Sequence, residues 1–146
     1  MYKFPAQFAL DSDGGYTVTF RDIPEAITQG DDLKEAKSAA VDALVTAMDF
    51  YFEDQRAVPN PSRAQAGELI VELPPSITAK IALLNLMLER KQRPVDLAKS
   101  MRVKPQEVTR ILDLHHATKI DTLAGAFKAL GHDLEVTIQP RIAETA

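Results

Sequence analysis

The chain has 146 residues, a length that suits one ordinary domain or two small ones. It contains no cysteine, which excludes a disulfide framework, a thiolate zinc site and a cysteine nucleophile, and makes the cytoplasm the expected compartment. The overall charge of −4 conceals an asymmetry: 6 Lys and Arg face 13 Asp and Glu up to Pro75, a net of −7, whereas from Ser76 onward 11 face 8, a net of +3. Each half is expected to meet a different partner, nucleic acid suiting the basic one.

Residues Tyr2 to Leu10 are largely apolar, Asp11-Ser12-Asp13-Gly14-Gly15 interrupts them, and Tyr16 to Phe20 alternates apolar and polar. That pattern predicts a β-hairpin with glycine in its turn. Ile27-Thr28-Gln29 before Gly30 predicts a short third strand. From Asp32 the spacing of Leu33, Ala36, Ala40, Ala43, Leu44, Ala47 and Tyr51 predicts an amphipathic helix of about five to six turns, opened by an Asp32/Glu35 capping box. Residues 55–68 read as a loop and Leu69 to Leu73 as a further strand. Residues 1–74 are therefore expected to form a three- or four-stranded sheet covered by one helix. Pro74-Pro75 breaks the chain, with Ser76 as the expected N-cap of the next helix.

Residues 75–146 read as a second, nearly all-helical domain. Helices are predicted from Ile77 to about Lys91, Pro94 to Met101, Pro105 to Leu114 and Asp121 to Leu130, the last ending at Gly131. Leu134 to Gln139 alternates like a strand, whose partner is either the N-terminal sheet or, as favoured, the same strand of a second subunit, giving a homodimer or a dimer of dimers. The whole is α+β, and no apolar run approaches the ~20 residues of a membrane span. Nor does Met1 to Pro5 resemble a signal peptide.

The strongest local pattern runs from Leu97 to Ile111. Ala98 allows a close helix crossing, Val103 is expected to plug the turn, and Val108 with Ile111 seats the second helix on the core. Lys104, Gln106, Thr109 and Arg110 are left facing outward. This is the layout of a helix-turn-helix whose second helix enters the major groove, Arg suiting guanine and Gln adenine edges. Arg93 and, beyond the second helix, Lys119 are further candidates for phosphate. Between Glu89 and Arg110 stand 7 basic against 3 acidic residues. Arg102 occupies the turn position usual for glycine, where a left-handed backbone costs about 1–2 kcal/mol.

Three stretches carry a family resemblance: Gly15-Tyr16-Thr17-Val18-Thr19-Phe20-Arg21-Asp22-Ile23-Pro24-Glu25-Ala26, Thr28-Gln29-Gly30 leading into the Asp32 helix, and Asp113-Leu114-His115-His116-Ala117-Thr118-Lys119-Ile120-Asp121. Across roughly residues 2–139 the chain resembles HicB antitoxins with a Cro/repressor-type helix-turn-helix. The resemblance implies a partial ribonuclease-H-like N-terminal domain that masks a HicA-type, mRNA-cleaving toxin, and a C-terminal domain that binds and represses the operator of the shared operon. A ribonuclease presents a basic surface to RNA, which an acidic partner can occupy. The loop after the second strand, with Asp22 and Glu25 and their apolar neighbours Phe20 and Ile23, is the expected toxin contact.

Catalysis is not expected. Asp11, Asp13, Asp22 and Glu25 sit on a turn and a loop, where a two-metal nuclease needs carboxylates converging on ions about 3.5–4 Å apart. His115-His116 lacks further metal ligands and is expected to meet helix-end carbonyls or the core. No metal, cofactor or membrane partner is expected. Two competing readings are a stand-alone regulator whose first domain senses a small molecule, and a divalent-metal nuclease.

Overall fold

The turn residues close the first hairpin as their chemistry requires. In the computed structural model, which describes residues 2–142, Gly14 takes φ +92° and the Asp11 N–H donates to the Gly15 carbonyl at 2.7 Å. Asp13 accepts from the Gly15 N–H and Asp11 from the Thr17 hydroxyl, so both carboxylates are used by the turn itself. The hairpin joins β1 (Lys3–Leu10) to β2 (Tyr16–Thr19). With β3 (Ile27–Gly30) and β4 (Glu68–Glu72) they form an antiparallel sheet in the order β3-β2-β1-β4.

Helix α1 (Leu33–Glu53) covers one face of the sheet. Asp32 caps it by accepting from the Glu35 N–H at 2.8 Å, while Glu35 reaches back to the Asp31 N–H at 3.0 Å. Its small residues Ala36, Ala40 and Ala47, with Leu44, Met48 and Tyr51, are buried in a cluster containing Phe4, Ala6, Val18 and Phe20. The sheet comes closest at Gly30, where a Cβ would lie 2.4 Å from the Ala36 nitrogen.

Four further helices follow: α2 (Pro75–Glu89), α3 (Pro94–Met101), α4 (Pro105–Ile111) and α5 (Ile120–Ala129). Helix α2 begins one residue before the expected cap. Pro75 opens it, since its missing N–H would have had no partner there, and Ser76 lies inside the first turn. Apolar nearly all round, α2 sends Ile77 and Ile81 into the sheet cluster and Leu83 and Met87 into a second cluster with Leu97, Ala98, Val108, Ile111, Leu123 and Phe127. Asn85 of α2 also pins the loop after α1, exchanging two hydrogen bonds with the Val58 backbone and donating to the Tyr2 hydroxyl at 2.9 Å.

Helices α1, α2, α3 and α5 end alike, on a left-handed residue: Gln55, Lys91, Arg102 and Gly131. In each, the N–H of the next residue reaches back to the carbonyl five before it, as Val103 does to Ala98 at 3.0 Å. Arg102, at φ 58° and ψ 42°, thus holds the glycine-like conformation that the turn demands. One expectation needs correction. Val103 is no plug, being 36% exposed, because this turn is closed by its backbone. Leu134 to Gln139 is not in a strand in the single chain, and Val136 and Ile138 stand exposed.

Gly30→Ala should force the sheet and α1 apart, with a loss of about 1–3 kcal/mol in unfolding free energy measured by urea denaturation.

Candidate nucleic-acid interface and acidic loop

Helices α3 and α4 pack on each other through Ala98 and Val108, both buried in the second cluster. The short link between them leaves Lys104 at the N-cap of α4, followed by Pro105 at its first turn. Gln106, Thr109 and Arg110 share the solvent side of α4 and are exposed, as is Lys104. The Thr109 hydroxyl donates to the Pro105 carbonyl at 3.2 Å, and Arg110 pairs with Glu107 at 3.0 Å. An exposed i,i+3 pair of this kind contributes little and is easily exchanged for another anion. At the start of α3 the Asp96 carboxylate accepts from the Arg93 backbone N–H at 3.0 Å and from its guanidinium at 3.1 Å, and Lys119 lies at the N-cap of the separate helix α5. Arg90, Lys91, Lys99 and Arg102 are exposed as well, so every basic residue between Glu89 and Arg110 faces solvent.

The end of α4 is built unlike the others. No left-handed residue follows its cap residue, Leu112, and the chain leaves the helix three residues earlier than its apolar spacing predicts. Lys80 of α2 explains why. Only 1% exposed, its ammonium donates to the carbonyls of Asp113 at 2.6 Å, His116 at 2.7 Å and Arg110 at 3.4 Å. Burial pushes the Lys80 pKa down, opposed by nearby Asp113. Three carbonyl dipoles at a helix C-terminus supply the compensation that a buried cation requires. A lysine on a helix of mostly apolar residues reads as an interruption, and sequence reasoning passed over it.

The segment after α4 also touches the sheet unit. Leu114 is buried in the first cluster, and the His115 ring lies 2.8 Å from the Asp49 carboxylate of α1. The hydrogen bond and charge of Asp49 raise the His115 pKa, with a smaller contribution from Asp113. Asp49, Phe52 and Glu53 of α1 form one wall of an open cleft of about 390 Å³, Thr109, Leu112 and His115 the other. The expectation that the histidine rings would meet helix-end carbonyls or the core is corrected for His115: Lys80 already holds those carbonyls, and the ring meets a carboxylate.

The acidic loop is less available than its composition suggests. Phe20 and Ile23 are buried in the first cluster and offer no apolar contact surface, because the loop folds back onto α1. Asp22 accepts from the backbone and hydroxyl of Ser62, both at 2.8 Å. Glu25 accepts from the Tyr51 hydroxyl at 2.9 Å and pairs with Arg56 at 3.0 Å. Partial burial works against the Glu25 charge, but a backbone hydrogen bond and these two partners outweigh it and hold the carboxyl below its ordinary range. Arg56 also lies over the Tyr51 ring, 3.9 Å from its centroid. Arg21, the neighbour of Asp22, is bound to Glu68 and to Ser62, and pulls the Glu68 pKa down. Some accessibility remains: the Asp22 and Glu25 side chains are 14% and 29% accessible. Among the described residues, no three His, Asp or Glu side chains converge as metal ligands would, and no helix is long and apolar enough to cross a membrane.

A family described as the HicB-like antitoxin of bacterial toxin-antitoxin systems matches residues 3–82 of this chain. Antitoxin HicB 2 of Photorhabdus laumondii is 51% identical over 134 residues, covering 92% of this chain and 94% of that protein. Antitoxin HicB of Escherichia coli is 44% identical over 136 residues, 93% of this chain and 99% of its own length. Antitoxin HicB of Pseudomonas fluorescens is 30% identical over 137 residues, 91% and 94% of the two chains.

Lys80→Met would strand three carbonyls and should cost about 3 kcal/mol in stability, read as a lowered urea midpoint. The His115 contact carries a pH signature. A raised folded pKa means that its contribution is complete below the ordinary histidine value of about 6.5 and is lost as pH rises through the raised one. Wild type and Asp49→Asn should therefore differ in melting temperature at about pH 5.5 and converge near pH 9, and NMR titration should show His115 reverting toward its ordinary value in the variant.

Proposed function

The chain belongs to the HicB-like antitoxin family, and from that premise we propose that it neutralises a HicA-type RNA-cleaving toxin with residues 1–74 and represses its own operon with residues 75–146. The similarity to antitoxins along nearly the whole chain is the observation that carries the reading. Neutralisation is steric and electrostatic: a unit of net charge −7 covers the basic surface with which a ribonuclease would grip RNA. Asp22 and Glu25 present their partly accessible side chains to the toxin, while Phe20 and Ile23 fix the loop from beneath. No catalytic step is assigned to this chain.

Helices α3 and α4 act as a helix-turn-helix. Gln106 and Arg110 read base edges, Thr109 lines the same face, and Lys104, Arg93 and Lys119 neutralise phosphates. Support comes from the exposure of these side chains together and from four further exposed basic residues nearby, Arg90, Lys91, Lys99 and Arg102. Operator reading by a homodimer, or a dimer of dimers, calls for a two-fold contact. Leu134 to Gln139 suits one: antiparallel pairing about Val136 sets Leu134 opposite Ile138 and keeps Glu135 and Thr137 on the other face.

Co-expression with the product of the adjacent gene should yield a stable complex in which that product no longer cleaves RNA; absence of any copurifying partner would sink the antitoxin role. In gel shifts on the DNA upstream of the coding sequence, Arg110→Ala should weaken specific binding by about 1–3 kcal/mol and relax preference at one base pair. Lys104→Ala should instead weaken binding to all sequences and reduce the salt slope by about one.

A further inference from the structure

Two anchors of α4, Lys80 and Leu114, are buried, and the third, His115, is exposed at its C-terminal end. Lys80 holds one carbonyl of the helix, that of Arg110, and those of Asp113 and His116 in the turn after it, the residue three beyond its end, Leu114, is buried with the sheet cluster, and His115 meets Asp49 on α1. Asp49 and His115 line one cleft with Thr109 of α4, and neither is buried. Two side chains from separate units are thus held in one geometry, in the one ion pair among the described residues that joins α1 to the turn after α4. The ring nitrogen at 2.8 Å from a carboxylate oxygen fixes the distance between α1 and that turn.

We propose that Asp49 and His115, with Lys80 behind them, are positioning residues for DNA reading: they seat the C-terminal end of α4 on α1, so that the sheet unit sets the angle at which α4 meets the groove. The inference rests on the reading of α4 as the DNA-contacting helix. A base-reading contact works only within narrow distance and angle, whereas phosphate attraction tolerates small rotations. Loss of the seat therefore lowers specific binding and spares non-specific binding. His115 itself makes no contact with DNA.

The test uses the full chain and two duplexes: the DNA immediately upstream of the coding sequence and its scrambled counterpart. His115→Ala and Asp49→Asn should each weaken binding to the upstream duplex about fivefold or more, with binding to the scrambled duplex and the salt slope of both unchanged. The pair should be non-additive in the double variant, and exchanging the partners, Asp49→His with His115→Asp, should restore most of the lost affinity. Because neither side chain is buried, circular dichroism and melting should show the variants folded; Lys80→Met is the harsher companion. Equal affinity of variants and wild type for the upstream duplex overturns the inference while leaving DNA reading intact. A reduced salt slope in His115→Ala also overturns it, since His115 would then be a phosphate contact. Wild-type protein that does not distinguish the two duplexes overturns the DNA-reading role itself, and the positioning role with it.

Discussion

The ammonium of Lys80 is a charge withdrawn from water, and such a charge is tolerated only where dipoles replace its hydration. The three carbonyls that do so all belong to the end of α4 and the turn after it. The helix that carries Lys80 is itself shared, with Ile77 and Ile81 in the sheet cluster and Leu83 and Met87 in the helical one. The position of α4 therefore cannot be altered without either moving α2, which would disturb two cores, or leaving a buried cation unpartnered. Leu114 reinforces the constraint by lying in the sheet cluster although it follows α4 closely. Two units that are successive along the chain are joined across their boundary by one helix and one lysine.

The same economy governs the acidic half. Many of its carboxylates have internal partners: Asp11 and Asp13 in the hairpin turn, Asp32 and Glu35 at the start of α1, Asp22 on Ser62, Glu25 on Tyr51 and Arg56, Glu68 on Arg21. Hydrogen bonding organises these groups without removing their charge, so the field around the unit stays negative while the side chains stay still. A partner of opposite sign meets a preorganised surface, which limits the conformational entropy lost on association. Recognition in the proposed complex then depends on the fixed distribution of charge more than on any single loop residue.

Period and turn chemistry made most elements legible. The strands from Lys3 to Leu10 and Tyr16 to Thr19, the long α1, and the helices opened by Pro94 and Pro105 follow from alternation, from the Ala36 to Tyr51 spacing, and from proline at a first turn. The left-handed Arg102 was legible too, since its place in the pattern is that of a glycine. The long-range partners were not. Asn85 with Val58, Asp22 with Ser62 and His115 with Asp49 are separated by 27 to 66 positions, and no local pattern encodes such pairings. Lys80 was missed for a related reason: its hydrophobic neighbours predict the face it lies on, but only the fold brings a helix end to meet it. The internal partners of the acidic loop were hidden because an exposed and an internally bonded carboxylate look identical in a sequence.

A helix as short as α4 is not stable alone, since nucleation costs more than so few backbone hydrogen bonds return. Only Val108 and Ile111 are buried along it, so packing of its own inner face is a small part of what holds it. The remainder acts at its ends: Pro105 and the backbone-closed turn at Arg102 fix the entry, while Lys80, Leu114 and the His115 contact fix the exit. End anchoring of this kind leaves the outer face free of structural duty. Gln106 and Arg110 need hold nothing in place beyond the weak Glu107 pair, and their side chains can be chosen for what they bind. A longer helix could have been held by its core alone, but would have had to reconcile a wider apolar stripe with the surface it presents.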